Sequence, residues 1–470
     1  MATISSTGIG SGLDVESIVT KLMSLEERPV TQLKTQASVI QTKISAFGAV
    51  QSAVSTFRDA ALNLTKATTW GVTSATSSDA SSVSVTTTDG AVAGNYAISV
   101  TSLASAQAAV SRTYESSASL VGEGNLRVEI GSFGQAGFAP QPNLDAMNIS
   151  ISATDSLAVV RDKINAAGAG VSAVIVNDVT GARIIISSTN PGSSNVFRVT
   201  PEGDAGLADL GFDPDAATNP MTQTQAAADA LLNINGVDIT SSSNTLTNTL
   251  DGMTINLLKP TTSAVQLGVT QDTAAVKASI QSFVDAYNSL ASMLSTQTRY
   301  DAATKTAGKL QGDSTAVSLQ RQLRSILGGA TTASSVFSTI NDIGLTTQSD
   351  GTIKVNDSKL TTALGNLAEV KKLFAATDSV DATQNGVALR LRTFGDAVLG
   401  AEGALTTRTS GLNTSLTLNQ KRQDEYTNRL ALTEARLRAQ YTSLDANMAG
   451  LNALNAYITN QVAAWNKSSG

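Results

Sequence analysis

Residues 430–465 read LALTEARLRAQYTSLDANMAGLNALNAYITNQVAAW. Leu430, Leu437, Leu444, Leu451, Ile458 and Trp465 recur every seventh residue without a break. Near the other end Leu33, Ile40, Phe47, Val54 and Ala61 keep the same interval. A seven-residue apolar repeat holds one seam along a helix, and that seam needs a second helix to cover it. Two seams at opposite ends of one chain can cover each other, which makes everything between them an insertion. The pattern predicts a long coiled-coil helical stem drawn from both termini. It marks Leu430, Leu437, Leu444, Leu451, Ile458 and Trp465 as a C-terminal assembly seam, and Leu33, Ile40, Phe47 and Val54 as an N-terminal one. Asn419, Gln423 and Asn455 interrupt the C-terminal seam. Polar seam positions weaken pairing but fix register or admit several partners. A helical hairpin inside a monomer carries the same signature. Repetition over this length at both ends favours subunit assembly.

Composition narrows the function. At 470 residues the chain holds two to four ordinary domains. Hydrophobic content of 41% supplies real cores, while 15% charged residues leave a surface dominated by Ser, Thr, Ala and Asn. Such a surface suits lateral packing against like subunits, and equally a lightly charged secreted protein. The net charge is −6 and no basic run or basic-aromatic stripe occurs, so nucleic acid is not an expected partner. Cysteine and histidine are both absent. Zinc sites on Cys or His, thiol catalysis, Ser-His-Asp triads and disulfides are thereby excluded. The opening MATISSTGIGSGLDVESIV lacks a basic segment followed by an apolar core, so no cleaved secretory signal is expected. No stretch approaches the ~20 apolar residues of a membrane span, so no membrane insertion is expected.

Periodicity divides the chain into helical, β-rich and helical parts. Residues 1–12 are Ser/Thr/Gly-rich and expected to be mobile; Asp14 is an N-cap for Val15, Ile18, Leu22 and Leu25. Pro29 interrupts that helix or begins the next. Ile44, Val50, Phe57 and Leu64 join the heptad face, and the pattern stops at Trp70-Gly71. Period two then marks strands at 82–88, 96–100, 126–130, 147–151, 171–176 and 183–187, with one helix over 156–167. Residues 201–225 read as loop. Strands resume at 232–234, 237–239, 254–258 and 265–269, with turns at Asn235-Gly236 and Asp251-Gly252. Asp272 caps a helix carrying Val276, Ile280, Phe283, Tyr287, Leu290 and Leu294. Asp313 and Asp357 start two more, the second carrying Leu360, Leu364 and Leu367, with a hairpin at Asp350-Gly351 between them. A last helix spans about 409 to 465.

Chemistry is poorly represented. Gly8-Ile9-Gly10-Ser11-Gly12 follows no strand, and Leu13 occupies the final glycine position of a dinucleotide fingerprint, so it reads as a lead-in to a capped helix. The Asp and Asn pairs lack the alternating ligands of a calcium loop and read as turn formers. No catalytic, cofactor-binding or metal residues are assigned, no cofactor is expected, and the chain is not read as an enzyme.

Gly8–Met23 (GIGSGLDVESIVTKLM), with Glu26, Arg28, Pro29 and Leu33, resembles the start of the bacterial flagellar filament-capping family, hook-associated protein 2 or FliD. Leu232–Leu258, Asp272–Leu290 (DTAAVKASIQSFVDAYNSL), Leu310–Ser314 (LQGDS), Ile343–Ile353 (IGLTTQSDGTI), Leu437–Leu444 (LRAQYTSL) and the closing AYITNQVAAW are similar to its C-terminal region. Ser156–Ser188 resembles a small motif of hook-associated and flagellin-type proteins. Only about 100–150 and 190–228 carry no family pattern. The resemblance implies a ring of five or six copies at the filament tip, exported without a cleaved signal by the flagellar type III route. It implies helical legs, β-rich heads, and a role in folding and inserting arriving flagellin and preventing its loss. The implied partners are flagellin, the hook-filament junction protein and a cytosolic export chaperone on the C-terminal seam. Taken with the periodicity, it gives a multidomain α+β fold with four parts: terminal mobile coiled-coil segments 1–38 and 437–470; a helical leg domain 39–70 and 272–436; a β-rich head domain 71–112 and 226–271; and a second β-rich head domain with one helix, 113–225. A flagellin or another hook-associated subunit shares helical termini around a β middle, and the Gly8–Met23 and Leu232–Leu258 segments speak against it. A tip adhesin for mucin or glycans is a further reading, for which the sequence offers no carbohydrate site.

Overall fold

Asp14 begins the described structure by accepting a hydrogen bond from the Ser17 amide at 2.9 Å, which caps the helix Val15–Glu26. The structure, a computed structural model, describes residues 14–468. The lead-in expected over 1–12 lies outside them. Glu27 keeps a near-helical backbone, and the next helix, Arg28–Thr65, carries Pro29 in its first turn. Pro29 has no N–H to give to the preceding turn, so the hydrogen-bond ladder lapses there and the two helices are separate elements.

The chain forms an α+β fold in two units. One takes the chain up to Trp70 and again from Val276, and the other is Gly71–Ala275. The first is helical. Its core joins Phe47, Val50, Val54, Phe57, Ala61 and Leu64 to Phe283, Tyr287 and Leu294 of the helix Thr273–Thr298 and to Leu319, Leu323 and Phe374. Phe57 meets Phe283 and Tyr287 at ring separations of 5.6 and 5.8 Å, and Trp70 stacks on Phe374 at 5.8 Å. Trp70 is buried and its indole donates to the Leu64 carbonyl at 2.8 Å. The last helix, Ala404–Ser468, has 65 residues. At ~1.5 Å per residue it is roughly 100 Å long, far beyond the span of the core it leaves.

The second unit is built of antiparallel sheets around two apolar cores. A five-stranded sheet in the order Thr73–Ser77, Val265–Gln271, Gly94–Ser102, Ala230–Ile234, Val237–Ser241 shares one core with three strands, Thr245–Leu246, Met253–Leu257 and Val83–Thr87. The Asn235-Gly236 hairpin turn has φ of 51° and 90° at its two central residues, the mirror-image turn that matches strand twist. The Asn235 side chain also accepts from the Ala97 amide at 2.8 Å, which ties the turn to the neighbouring strand. The second core gathers the long strand Gly124–Gly134, its partners Val196–Gly203 and Met147–Ile151, and the helix Leu157–Ala167, while Gly137–Pro140 pairs with the same long strand outside that core. A further four-stranded sheet runs Thr222–Gln225, Ala108–Val110, Gly181–Ser188, Val171–Asp178.

Several sequence expectations change. The segment 201–225, expected as loop, holds the end of the strand Val196–Gly203, a short helix Ala205–Ala208 and the strand Thr222–Gln225. Pro201 is admitted because its strand lies at a sheet edge, and Thr222–Gln225 is exposed throughout and so carries no alternation. The helix expected to carry Leu360, Leu364 and Leu367 ends at Leu364. Gly365 and Asn366 separate it from a new helix, Leu367–Ala375, and its cap is Asn356 rather than Asp357. The helix Val387–Leu399 was not expected, although Val387, Leu391, Phe394 and Val398 step by four, three and four along its buried face.

Candidate assembly surface

The terminal helix divides its seam into a covered part and an open part. Leu430, Leu437 and Tyr441 are half-buried against Val15, Val19 and Met23 of the first helix, which are themselves buried. Beside them Arg438 donates through both terminal nitrogens to the Glu16 carboxylate, at 2.5 and 2.8 Å, and through Nε to Glu434 at 2.9 Å. Those hydrogen bonds hold the Glu16 carboxyl below its usual range. Beyond Tyr441 the same face is exposed: Leu444 by 45%, Leu451 by 60% and Ile458 by 51%. Leu454, Tyr457 and Val462 widen it, and Trp465 lies further along, also exposed.

The N-terminal set falls differently. Phe47 and Val54 are fully buried in the helical core, and Ile40 packs on its edge. Leu33 is half-buried and lines a cleft of about 500 Å³ together with Pro29, Gln32, Gln36, Arg422, Glu425, Tyr426 and Arg429. The Arg429 guanidinium lies 5.3 Å over the Tyr426 ring. Asn419 and Gln423, noted in the sequence as breaks in the seam, are buried just before this cleft, with Gln423 donating to Asn419 at 2.6 Å. A polar waist therefore separates the main helical core from the small cluster that the first helix makes with Leu430, Leu437 and Tyr441.

The motifs singled out in the sequence turn out to hold one another. Asn288 accepts from the Ile353 amide at 2.6 Å and donates to the Ile353 carbonyl at 2.9 Å, while the buried Tyr287 hydroxyl donates to the Gly351 carbonyl at 3.0 Å. DAYNSL thus grips the hairpin of IGLTTQSDGTI. Asp313 of LQGDS caps the helix Ser314–Gly328 through the Thr315 amide and accepts two hydrogen bonds from Arg408 on the terminal helix. Sequence reasoning located Asp313 as a cap and missed its second partner, 95 residues away.

Ionisable groups elsewhere serve the fold. Burial raises the Glu129 carboxyl, and hydrogen bonds from Arg127 and Arg198 overcome this and keep it below its usual range. Among the described residues no group of acidic side chains is placed to hold a metal ion. Likewise none of their helices is long and apolar enough to cross a membrane.

Comparison with known proteins converges on one group. The chain matches the family models for the flagellar hook-associated protein 2 N-terminus over residues 11–107 and C-terminus over 227–453, and the flagellin hook IN motif over 140–190. It is 36% identical to flagellar hook-associated protein 2 of Escherichia coli K12, over 98% of each chain. The chain belongs to the flagellar hook-associated protein 2 family. Its Salmonella typhimurium relative is 33% identical over the full length of both. The crystal structure of the Escherichia coli flagellar cap protein FliD domains D1-D2-D3 superposes with a TM-score of 0.64 at 35% identity, covering 78% of this chain and 99% of that one. A hook-associated protein 2 is a structural component of the flagellum and not a member of an enzyme family.

Proposed function

We propose that this chain caps the distal end of the bacterial flagellar filament. It works as a ring-shaped homo-oligomer that promotes folding and insertion of exported flagellin and prevents its loss. The observation that carries the reading is the 36% identity to Escherichia coli flagellar hook-associated protein 2 over 98% of both chains. The β-rich unit supplies the heads that form the plate, and the helical unit supplies the legs. The terminal helix and the N-terminal helices make up the stem, with the exposed stretch from Leu444 to Val462 as its assembly seam. Flagellin, the junction protein and an export chaperone are the partners this seam serves at successive stages. An exposed apolar stripe of that length on a helix is costly for an isolated protein and is explained by a partner helix lying along it. The chain acts outside the cell at the filament tip and is exported by the flagellar route.

Electron microscopy of the purified protein tests the ring directly, since end-on views of a ring give its subunit number. Deleting the gene in the source cells tests the cap: flagellin should appear as monomer in the medium, with short or missing filaments and poor motility. Normal filaments in a clean deletion would end the capping assignment.

A further inference from the structure

The inference here rests on the assembly seam and concerns its control. Leu437 and Leu444 are successive heptad positions on one unbroken helix, yet the first is covered by the chain's own N-terminal helix and the second is exposed. We propose that the helix Val15–Glu26 is a displaceable strap, which a partner helix peels away as it pairs along the seam from its exposed end toward Leu437 and Leu430.

Every attachment of the strap is of the kind that opens locally. It has 12 residues, short enough that an undocked helix loses its structure and does not hold the seam against a competitor. Its apolar contact is three side chains, Val15, Val19 and Met23. Its hydrogen-bond ladder to the second helix lapses at Pro29. Its small cluster is cut off from the main core by the cleft at Pro29 and Leu33 and by the buried Asn419–Gln423 pair, so no continuous apolar packing couples the two. The ion pair that pins it, Arg438 with Glu16, leaves both side chains well exposed, where such pairs contribute little and exchange readily with water.

The open half also indicates what enters. Residues 446–466 contain no Asp, Glu, Lys or Arg. Heptad partners are ordinarily sorted by flanking charges, so this stretch selects by apolar shape and by the polar position at Asn455 and not by charge. It fits an amphipathic helix with Leu, Ile, Val or Met at heptad spacing and few charges. The interface that helix would form is the direct continuation of the one the strap already occupies. Glu434, Arg436 and Arg438 lie where the strap lies, and Asp445, beside Leu444, is the last charge before the uncharged stretch.

Hydrogen exchange on the full-length chain tests this. Amides of 15–26 should exchange at least ~100-fold faster than those of 47–64, as a separately opening segment. Arg438→Gln should speed 15–26 by about two- to fivefold and leave 47–64 unchanged. A synthetic peptide with the sequence of residues 426–466, long enough to reach past Leu437 and Leu430, serves as the partner probe: it should protect 444–462 and accelerate 15–26 together. In a Leu444→Asp chain the peptide should do neither, while the strap keeps its own opening rate. Protection of 444–462 with 15–26 unmoved would overturn the strap alone. No protection at 444–462 would overturn the seam and the strap with it. Exchange of 15–26 only in step with 47–64 would overturn the strap whatever the peptide does.

Discussion

At the scale of single residues, the buried polar contacts decide more than the exposed charges. Asp313 is 1% exposed in its side chain, and among the described residues its ion-pair partner is Arg408, at 2.6 Å. Removing that partner strands a carboxylate in the core, a change that destabilises by about 3–5 kcal/mol. Arg408→Ala should therefore lower the urea midpoint of the helical unit sharply. Asp313→Asn should do so less, since asparagine still caps the helix and bears no charge. Tyr287 makes the second residue-scale prediction. Burial pushes its phenol up to about 12, against roughly 10 in an unfolded chain. The folded state therefore holds the proton longer than the unfolded state. The corresponding stability is intact below pH ~10 and is lost as pH rises through the folded value of about 12. Melting curves from pH 8 to 12 should show this alkaline loss in the parent and a shallower one in Tyr287→Phe. The Phe variant should also be less stable at neutral pH, by ~1 kcal/mol for the lost bond to Gly351.

At the scale of elements, the hairpin Leu345–Thr347 with Ile353–Val355 is a three-residue pair too short to stand alone. It is held in place by Tyr287, Asn288 and the Arg324 side chain, which donates to the Asp350 carbonyl at 2.8 Å. Asn288→Ala removes two of these bonds, so amides of 345–355 should exchange faster by at least tenfold, at ~1.4 kcal/mol per factor of ten, while the helix Thr273–Thr298 keeps its protection. A hairpin as well protected in the variant as in the parent would mean that its own turn suffices. Elements of this kind also mark what the sequence could reveal. Asp350-Gly351 and Asn235-Gly236 were legible because turn chemistry is local, and Asp14, Asp272 and Asp313 were legible as caps for the same reason. The pairing of Asn288 with Ile353, 65 residues on, was not, because nothing in either segment names its partner. The strand Thr222–Gln225 was invisible because all four side chains face solvent. The helix Val387–Leu399 carries a legible pattern in the spacing of Val387, Leu391, Phe394 and Val398. Periodicity marks two apolar seams, one at each end, and cannot by itself separate Phe47 and Val54, which lie in the core, from Leu444 and Leu451, which lie in the open.

At the scale of the whole molecule, the division into a helical and a β-rich unit has a direct consequence. Residues 71–275 enclose two apolar cores of their own, so that fragment should express in soluble form and melt in a cooperative transition. A fragment that remained unfolded would mean that the helical unit is needed to complete it. The two units should then respond separately to substitutions. Leu257, 3% exposed in the β-rich unit, supports one core. Placing Asp there buries a carboxylate without a partner and should unfold that unit in the fragment and in the full chain alike. Leu444 stands at 45% exposure on the terminal helix. Leu444→Asp puts its charge into water in the isolated chain, so the melting temperature should stay within about a degree of the parent, as for most surface changes. In an assembled stem the same charge lies inside a helix–helix contact, and there it is expensive. The variant should therefore fold normally and fail in filament capping, in chaperone binding, or in both. Motility on soft agar, flagellin lost to the medium, and co-purification of the chaperone measure these consequences. If Leu444→Asp cells swam like the parent and chaperone binding was unchanged, while Leu257→Asp unfolded the β-rich unit as expected, the exposed seam would be an inert surface. The assembly role of the terminal helix would then have to be given up, although membership of the family would stand.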